Sequence, residues 1–435
     1  MKQAVILAGG QGTRLKAISG DLPKSMIPVL GKPLLQHLIE QCVKYGILDI
    51  KLLVSYKKEV IEGFVGNGSQ YGATVQYFTE DTPRGTAGAL LDALPKLDKQ
   101  FLVIYGDTFF DIDLSDFWGV HQDQAADASI FLHPNDHPHD SDLVEIDSNL
   151  QVKRIHSYPH DTQWRSNLVN AAVYMFNKGA LENFSFVSDK PDIAKELFPL
   201  MLRHEKKLYG YLSTEYIKDM GTPERLSKVE RDINSGKVES LKKQIPKAAI
   251  FLDRDGVINK EVNHLSRAEE FELIDGVADA VCQINAAGVL AVVVTNQPVI
   301  ARGELNEPGL QIIHNKMDTL LGKEGAYIDR LYYCPHHPDS GFKGEIKAFK
   351  CNCNCRKPEP GMFIKARDDL NIALERSWVI GDSTRDILAA KNAKMRSVLV
   401  KTGYAGKDGS YKVNPDFVSE DLSEAVQFIL KEIKK

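Results

Sequence analysis

Hydrophobic and polar positions along this chain fall into two alternating rhythms. Short continuous apolar runs, QAVILA at 3–8, KLLVS at 51–55, ATVQYF at 73–78 and FLVIY at 101–105, have the length and β-branched content of strands buried on both faces. Between them lie stretches with helical spacing, from about Leu34 to Tyr45, near 57–65, and from about Thr86 to Leu94. The rhythm restarts with FLDRDG at 251–256, a helix near 275–287, VLAVVVTNQ at 289–297 and SWVIGD at 377–382. Strands and helices taking turns predict parallel sheets covered by helices, an α/β class with two doubly wound domains. A chain of 435 residues is too long for one ordinary core. The expected division is a domain at 1–233, a polar, lysine-rich linker NSGKVESLKKQIPK at 234–247, and a second domain at 248–435.

Parallel strands deliver their last residues to the carboxyl edge of the sheet, where open α/β folds bind ligands. The ends of these strands carry chemistry. In FLDRDGVIN, Asp253 and Asp255 are crowded at one tip before Gly256, an arrangement that favours a divalent cation with a phosphate beyond it. A carboxylate there can also act as a nucleophile towards phosphorus. Thr295 and Asn296 end the VLAVVV strand, Arg356 and Lys357 stand together in RKPEPGM, and Asp382 ends SWVIG with Asp386 four residues on. In the first half, Gly9, Gly10 and Gly12 follow the first strand and can offer backbone N–H groups to phosphate, supported by the cations Arg14 and Lys24. Asp107 ends FLVIYG, and Asp219 in YIKDMGTPERL is a second acid with which it could share a metal.

Composition narrows the field. With 54 Lys and Arg against 59 Asp and Glu, the net charge is −5, which gives no support for nucleic-acid binding. The N-terminal MKQAVILAGG is apolar for only a few residues, so neither a signal peptide nor a membrane span is expected there, and a cytoplasmic location is the default. Of six cysteines, Cys42 and Cys282 sit in apolar helical patterns, whereas the others cluster between 334 and 355. In YYCPHHPDSGFKGEIKAFKCNCNCRKP, the pairs Cys334/His336 and Cys353/Cys355 suit a closed tetrahedral Zn²⁺ of structural type. Cys351 and His337 compete as ligands; Cys353 and Cys355 are preferred because they abut Arg356 and Lys357.

Taken together, LAGGQGTRL, LPKSMIPVLGKPLLQH, GTAGAL, YGD and KDMGTP resemble the sugar-1-phosphate nucleotidyltransferases over roughly residues 1–232. The resemblance implies a Rossmann-like domain that joins a nucleoside triphosphate to a sugar 1-phosphate with loss of pyrophosphate. It assigns Gly9, Gly10, Gly12 and Arg14 to the triphosphate, Lys24 to the phosphates, Asp107 and Asp219 to Mg²⁺, and Asn170 in NAAVYMF to the sugar. Relatives contact the nucleobase at the position of Glu80, five residues before Gly85. An ionised carboxylate only accepts hydrogen bonds, which suits the adjacent donors of guanine and favours GTP. The Glu-Lys-Pro turn of many relatives is missing; the stretch RIHSYPHDTQWRSN and its approach offer Lys153, Arg154, His156 or Arg165 instead.

The second half is similar to the haloacid dehalogenase superfamily of phosphatases over about 248–435. That likeness implies Asp253 as nucleophile, Asp255 as acid and base, Thr295 and Lys357 as phosphoryl stabilisers, and Mg²⁺ held by Asp253, Asp255 and Asp382, with Asp386 behind. The zinc loop, DRDGVIN, TNQ before IARG, and CRKPEPGM resemble the D,D-heptose 1,7-bisphosphate phosphatases; histidinol-phosphate phosphatases share much of this pattern. Pro298 and Val299 replace the more usual Ser-Gly before IARG, and Arg302 and Arg356 are candidates for a second phosphate or the sugar. Joined, the two likenesses imply heptose bisphosphate hydrolysis followed by guanylyl transfer to the heptose 1-phosphate. The alternatives are a histidinol-phosphate-type phosphatase fused to another transferase, and a half that is a silent binding module. Expected partners are small molecules, with no nucleic acid and no membrane.

Overall fold

The computed structural model describes residues 2–10, 12, 15, 20–80, 82–161, 163–341 and 343–433. Arg14 therefore lies outside the described residues. The chain forms two compact units. The first comprises Met1–His133, Ser141–Pro159 and Leu168–Lys242, and the second Pro134–Asp140, His160–Asn167 and Lys243–Lys435. Among the described residues no helix is long and apolar enough to cross a membrane.

In the first unit, the apolar runs form β1 (Gln3–Leu7), β2 (Asp49–Val54), β3 (Thr74–Thr79) and β4 (Gln100–Tyr105). The strands β2, β1 and β4 lie side by side and parallel, with β3 outside β2. The chain thus runs outward from β1 to β3 and then returns to the other side of β1. That reversal opens a crevice between the carboxyl ends of β1 and β4. Helices α1 (Leu34–Lys44), α2 (Lys58–Val65) and α3 (Gly85–Ala93) follow the first three strands. Beyond β4 the sheet continues antiparallel through β9 (Val169–Asn177), and β6 (Ala128–His133), β7 (Leu143–Ile146), β8 (Val152–His156) and β10 (Leu208–Leu212) bring it to nine strands among the described residues. Separately, β5 (Thr108–Asp111) and β11 (Tyr216–Asp219) form an antiparallel ladder pairing Asp219 with Thr108.

The second unit is built on six parallel strands in the order β14, β13, β12, β15, β16, β17: Arg330–Cys334, Leu290–Asn296, Ala249–Leu252, Trp378–Gly381, Arg396–Val400 and Phe417–Ser419. Every neighbouring pair is parallel. The central strand β12 is buried throughout, which explains why AIFL has no polar alternation. The chain runs outward from β12 to β14 and then resumes at β15 on the opposite side, so the switch point lies between β12 and β15. Helices α4 (Val277–Ala286), α5 (Glu307–Lys323), α6 (Gly361–Leu370), α7 (Thr384–Asn392) and α8 (Leu422–Ile433) complete the unit. Both doubly wound sheets follow the hydrophobic rhythm. The two short segments of the first half that belong to this unit do not. There, Trp164 packs on its hydrophobic core, and Asn167 Nδ2 donates to the Asn135 carbonyl at 2.7 Å.

Candidate active sites

In the first unit a cavity of about 330 Å³ sits at the switch point, lined among others by Gly9, Gly10, Lys24, Glu80, Gly85 and Asp107. The path of the backbone explains the glycines. Gly12 has φ +62°, and a Cβ there would press against Lys24 Cβ at 3.1 Å. Gly85 has φ +68°, and its Cβ would strike the Lys190 and Pro191 backbone at 2.5 Å. Lys24 donates to the Asp107 carboxylate and its backbone N–H to the Gly10 carbonyl, so the cation sits over the glycine loop. Glu80 Oε1 accepts from the Arg84 N–H at 3.1 Å, and burial raises its pKa.

Asp219 and Asp107 are neighbours through the β5–β11 ladder, where Met220 N donates to the Asp107 carbonyl at 2.8 Å. Their side chains have different partners, Lys24 for Asp107 and Arg225 Nη1, at 2.6 Å, for Asp219. Asn170 lies on β9 beside a bulge in which Ala172 has φ +58°, and its Oδ1 accepts from Ala172 N at 3.1 Å. It does not line the cavity. Of the cations offered for the missing lysine, Lys153 pairs with Asp147 at 2.8 Å, His156 with Glu145 at 3.1 Å and Arg165 with Asp161 at 2.8 Å. Arg154 stands on the β-strand Val152–His156. Sequence reading passed over Ser55, Thr86 and Tyr105, which also line the cavity. Thr86 follows Gly85 and Tyr105 ends β4 two residues before Asp107, and that adjacency was the signal available.

The second unit places its strand tips around a cavity of about 200 Å³ containing Asp253, Asp255, Thr295, Asn296, Arg302, Arg356, Lys357 and Asp382. Lys357 is 2 % exposed and reaches Asp253 Oδ2 at 2.9 Å, Asp386 Oδ1 at 2.7 Å and the Val294 carbonyl at 2.9 Å. Its loop is fixed by a reciprocal amide pair: Asn296 Oδ1 accepts from Lys357 N and Asn296 Nδ2 donates to the Lys357 carbonyl, both at 3.0 Å. Burial alone would lower the Lys357 pKa, but Asp253 and Asp386 outweigh it and hold the ammonium charged. Asp382 accepts from the Tyr404 N–H at 2.6 Å and is packed between Gly256 and Gly403, where a Cβ would come within 2.3 and 2.1 Å of its Oδ2. Thr295 Oγ1 accepts from Gln297 Nε2 at 2.9 Å, which leaves its own proton to donate.

Asp253, Asp382 and Asp386 bring carboxylate oxygens within 4.8 Å of one another. Burial, together with the neighbouring carboxylates, pushes Asp253 up to about 7 and Asp382 up to about 8. Three acids with one lysine form an under-neutralised oxygen donor set, which fits a hard divalent cation such as Mg²⁺. The Asp255 carboxylate is not in that group. It turns to Arg254, Gln297 and Asn259, and its pKa is lowered: burial would raise it, but Arg254 and the amide donors prevail. Arg254, Gln297, Arg385 and Tyr404 were not anticipated; the last three line the cavity.

A separate cluster unites Cys334, His336, Cys353 and Cys355. Sulfur–sulfur separations are 3.6 Å for Cys334–Cys353 and 3.3 Å for both Cys355–Cys334 and Cys355–Cys353, and His336 Nδ1 lies 3.3 Å from Cys355 Sγ. A tetrahedral ion with metal–sulfur bonds of about 2.3 Å needs sulfur–sulfur edges of roughly 3.8 Å, so a slight expansion would seat Zn²⁺. His337 lines the cavity of the second unit instead, and Cys351 is exposed.

Each half of the chain matches known proteins. The nucleotidyl transferase family model matches residues 3–236, and a HAD-hydrolase-like family model matches 354–425. The D-glycero-beta-D-manno-heptose-1,7-bisphosphate 7-phosphatase of Escherichia coli O6:H1 is 40% identical over 193 residues, 44% of this chain and 98% of that protein. Among solved structures, HddC from Yersinia pseudotuberculosis is 29% identical, with 54% of this chain and 100% of that one covered at a TM-score of 0.47. The D,D-heptose 1,7-bisphosphate phosphatase from B. bronchiseptica, complexed with magnesium and phosphate, is 33% identical, with 42% and 99% covered at a TM-score of 0.38. More than half of the chain matches the first model and nearly the whole of the curated phosphatase is covered, so the chain belongs to the nucleotidyl transferase family and carries, fused to it, a phosphatase of the heptose-1,7-bisphosphate 7-phosphatase family.

Proposed function

We propose that the second unit removes the 7-phosphate of D-glycero-D-manno-heptose 1,7-bisphosphate and that the first transfers GMP from GTP to the resulting heptose 1-phosphate, giving GDP-heptose and pyrophosphate. The observation that carries the reading is the Asp253–Lys357–Asp386 arrangement at the β12–β15 switch point, with Asp382 beside it and Asp255 and Thr295 facing the same cavity. Asp253 is the nucleophile. Its carboxylate attacks phosphorus, and Thr295 Oγ1 and Lys357 Nζ steady the phosphoryl oxygens. Asp255, ionised at rest, takes up a proton with the incoming phosphate ester, gives it to the departing sugar oxygen, then takes one from the water that cleaves the aspartyl phosphate. Asp253, Asp382 and Asp386 would hold Mg²⁺, which supplies charge neutralisation at the phosphoryl group.

In the first unit the glycine loop and Lys24 receive the triphosphate, and the sugar phosphate oxygen attacks the α-phosphorus. Catalysis there is alignment and charge neutralisation. Asp107 and Asp219 would hold its Mg²⁺, and Glu80 favours guanine because a carboxylate accepts from both N1–H and the exocyclic amine. Cys334, His336, Cys353 and Cys355 would hold a structural Zn²⁺. The product of the second unit is a sugar 1-phosphate, the substrate class of nucleotidyl transfer, so the two reactions connect in that order.

The test is a coupled assay with Mg²⁺, GTP and heptose 1,7-bisphosphate. Phosphate, pyrophosphate and GDP-heptose should appear together. Phosphate without nucleotide sugar would remove the transferase assignment. ATP or CTP serving as well as GTP would remove the role given to Glu80.

A further inference from the structure

The reaction above leaves the largest buried charge beside it without a task. Arg254 is 0 % exposed, stands between the two aspartates of the strand tip, and is absent from the cavity lining. Its side chain is closed off from that cavity. A fully buried guanidinium persists only where its donors are met, and its partners here are specific. Arg254 Nη2 donates to both Asp255 oxygens at 2.9 Å and to Gln297 Oε1 at 3.1 Å. Its Nε reaches Asp255 Oδ1 at 3.3 Å, and Nη1 lies 3.2 Å from His314 Nε2. Burial, with the Arg254 charge, holds His314 down to about 3, so the ring is neutral and its nitrogen accepts.

Gln297 closes the circle. Its Nε2 donates to Asp255 Oδ2 and to Thr295 Oγ1, both at 2.9 Å, while its carbonyl oxygen accepts from Arg254. Asn259 Nδ2 adds a bond to Asp255 Oδ1 at 3.0 Å. Both carboxylate oxygens are thus held from behind, yet the Asp255 side chain keeps 21 % exposure, towards the cavity that it lines. A planar fork that meets one carboxylate, one amide and one imidazole prevents rotation of Asp255 in a way that the point charge of a lysine cannot.

We propose that Arg254 is a positioning residue which, with Gln297, aims the Asp255 carboxyl at the leaving oxygen of the phosphate ester. The proposal rests on the reading of Asp255 as proton donor. The step it serves forms an O–H bond on the departing sugar oxygen as the P–O bond breaks; Asp255 is ionised at rest, so the proton is one it takes up from solvent with the incoming phosphate ester.

Leaving-group chemistry separates this role from mere support. A sugar alkoxide cannot depart without a proton, whereas 4-nitrophenolate departs from 4-nitrophenyl phosphate without one. Turnover of heptose 1,7-bisphosphate and of 4-nitrophenyl phosphate is measured with Mg²⁺ for the full chain and for Arg254→Met, Arg254→Lys, Gln297→Ala and Asp255→Asn. Arg254→Met should lower kcat on the sugar phosphate by on the order of a hundredfold and on the aryl phosphate by roughly tenfold at most. Arg254→Lys should fall between it and the unaltered protein, and Gln297→Ala should show the same split at smaller size. Equal losses on both substrates, or no loss on the sugar phosphate, would overturn the proposal. Gln297→Ala takes one acceptor from Arg254 but leaves its pairing with Asp255, and it decides the matter even where Arg254→Met fails to fold. Asp255→Asn without a selective loss would overturn the proton-donor reading and this proposal with it; Asp255→Asn showing the split while the Arg254 and Gln297 variants do not would overturn this proposal alone.

Discussion

Lys357 sets the charge balance of the phosphatase cluster. It is the cation that meets both Asp253 and Asp386, and at 2 % exposure it has little water to share its charge with. Replacing Lys357 by Met leaves three converging carboxylates and removes the donor proposed for the phosphoryl group. Turnover should drop by on the order of a hundredfold or more, measured as phosphate release at saturating Mg²⁺. The same crowding gives a pH signature. Asp253 and Asp382 are raised to about 7 and about 8 in the metal-free site, above the unfolded carboxyl value. The folded unit therefore binds their protons more tightly than the unfolded chain. Stability without metal is greatest at low pH on this account and declines as pH rises from about 4 to 8. Mg²⁺ competes with those protons, so its stabilising effect must grow over the upper part of that window. Thermal unfolding with and without Mg²⁺ at pH 6 and pH 8 checks this; an increment equal at both values would contradict it.

At the scale of elements, β4, β12, β13 and β15 each carry at their carboxyl end a polar residue that lines a cavity. That was legible because buried parallel strands are continuous apolar runs, and the first polar residue after one lies at the carboxyl edge whatever the rest of the fold does. Asp107, Asp253, Thr295 and Asp382 were all found in this way. Arg254 was not, because adjacent positions on an extended strand face opposite sides and Asp255 would not be expected to meet it. The chain leaves β12 at Leu252, and Gly256 has φ +80°, so the strand rule has already lapsed where the pair forms. Gln297 was hidden for a similar reason, lying one residue beyond the end of β13. Nor does any hydrophobic rhythm mark 134–140 and 160–167 as parts of the second unit, since a short segment carries too few positions to set a period. The cysteine cluster was legible through spacing, and its consequence belongs to this scale. Cys355 precedes Arg356, which donates to the His336 carbonyl at 3.0 Å, and Lys357 follows directly. Stripping zinc with a chelator, or Cys353→Ser, should therefore cost most of the phosphatase activity by releasing the Lys357 loop, with nucleotidyl transfer from heptose 1-phosphate retained. Metal analysis finding no zinc in protein purified without chelators, or full phosphatase activity after stripping, would contradict this.

At the scale of the whole chain, two cavities lie in two units that each have their own core and sheet. The residues lining each belong to one unit, and the only species the proposed sequence requires to pass between them is a free sugar 1-phosphate. A strong consequence follows for variants that disable one site each. Asp253→Asn removes the proposed nucleophile of the second unit, and Lys24→Met removes the cation over the glycine loop of the first. Neither should make GDP-heptose from heptose 1,7-bisphosphate and GTP, with losses on the order of a thousandfold in the affected step. Mixed in one vessel, they should recover product after a lag, because heptose 1-phosphate released by the Lys24 variant reaches the intact transferase of the Asp253 variant. Adding heptose 1-phosphate to the Asp253 variant alone should abolish the lag. If the mixture stays inactive while each variant keeps its remaining single activity, the intermediate does not leave the chain that makes it, and the two units act on it together rather than in succession through solution.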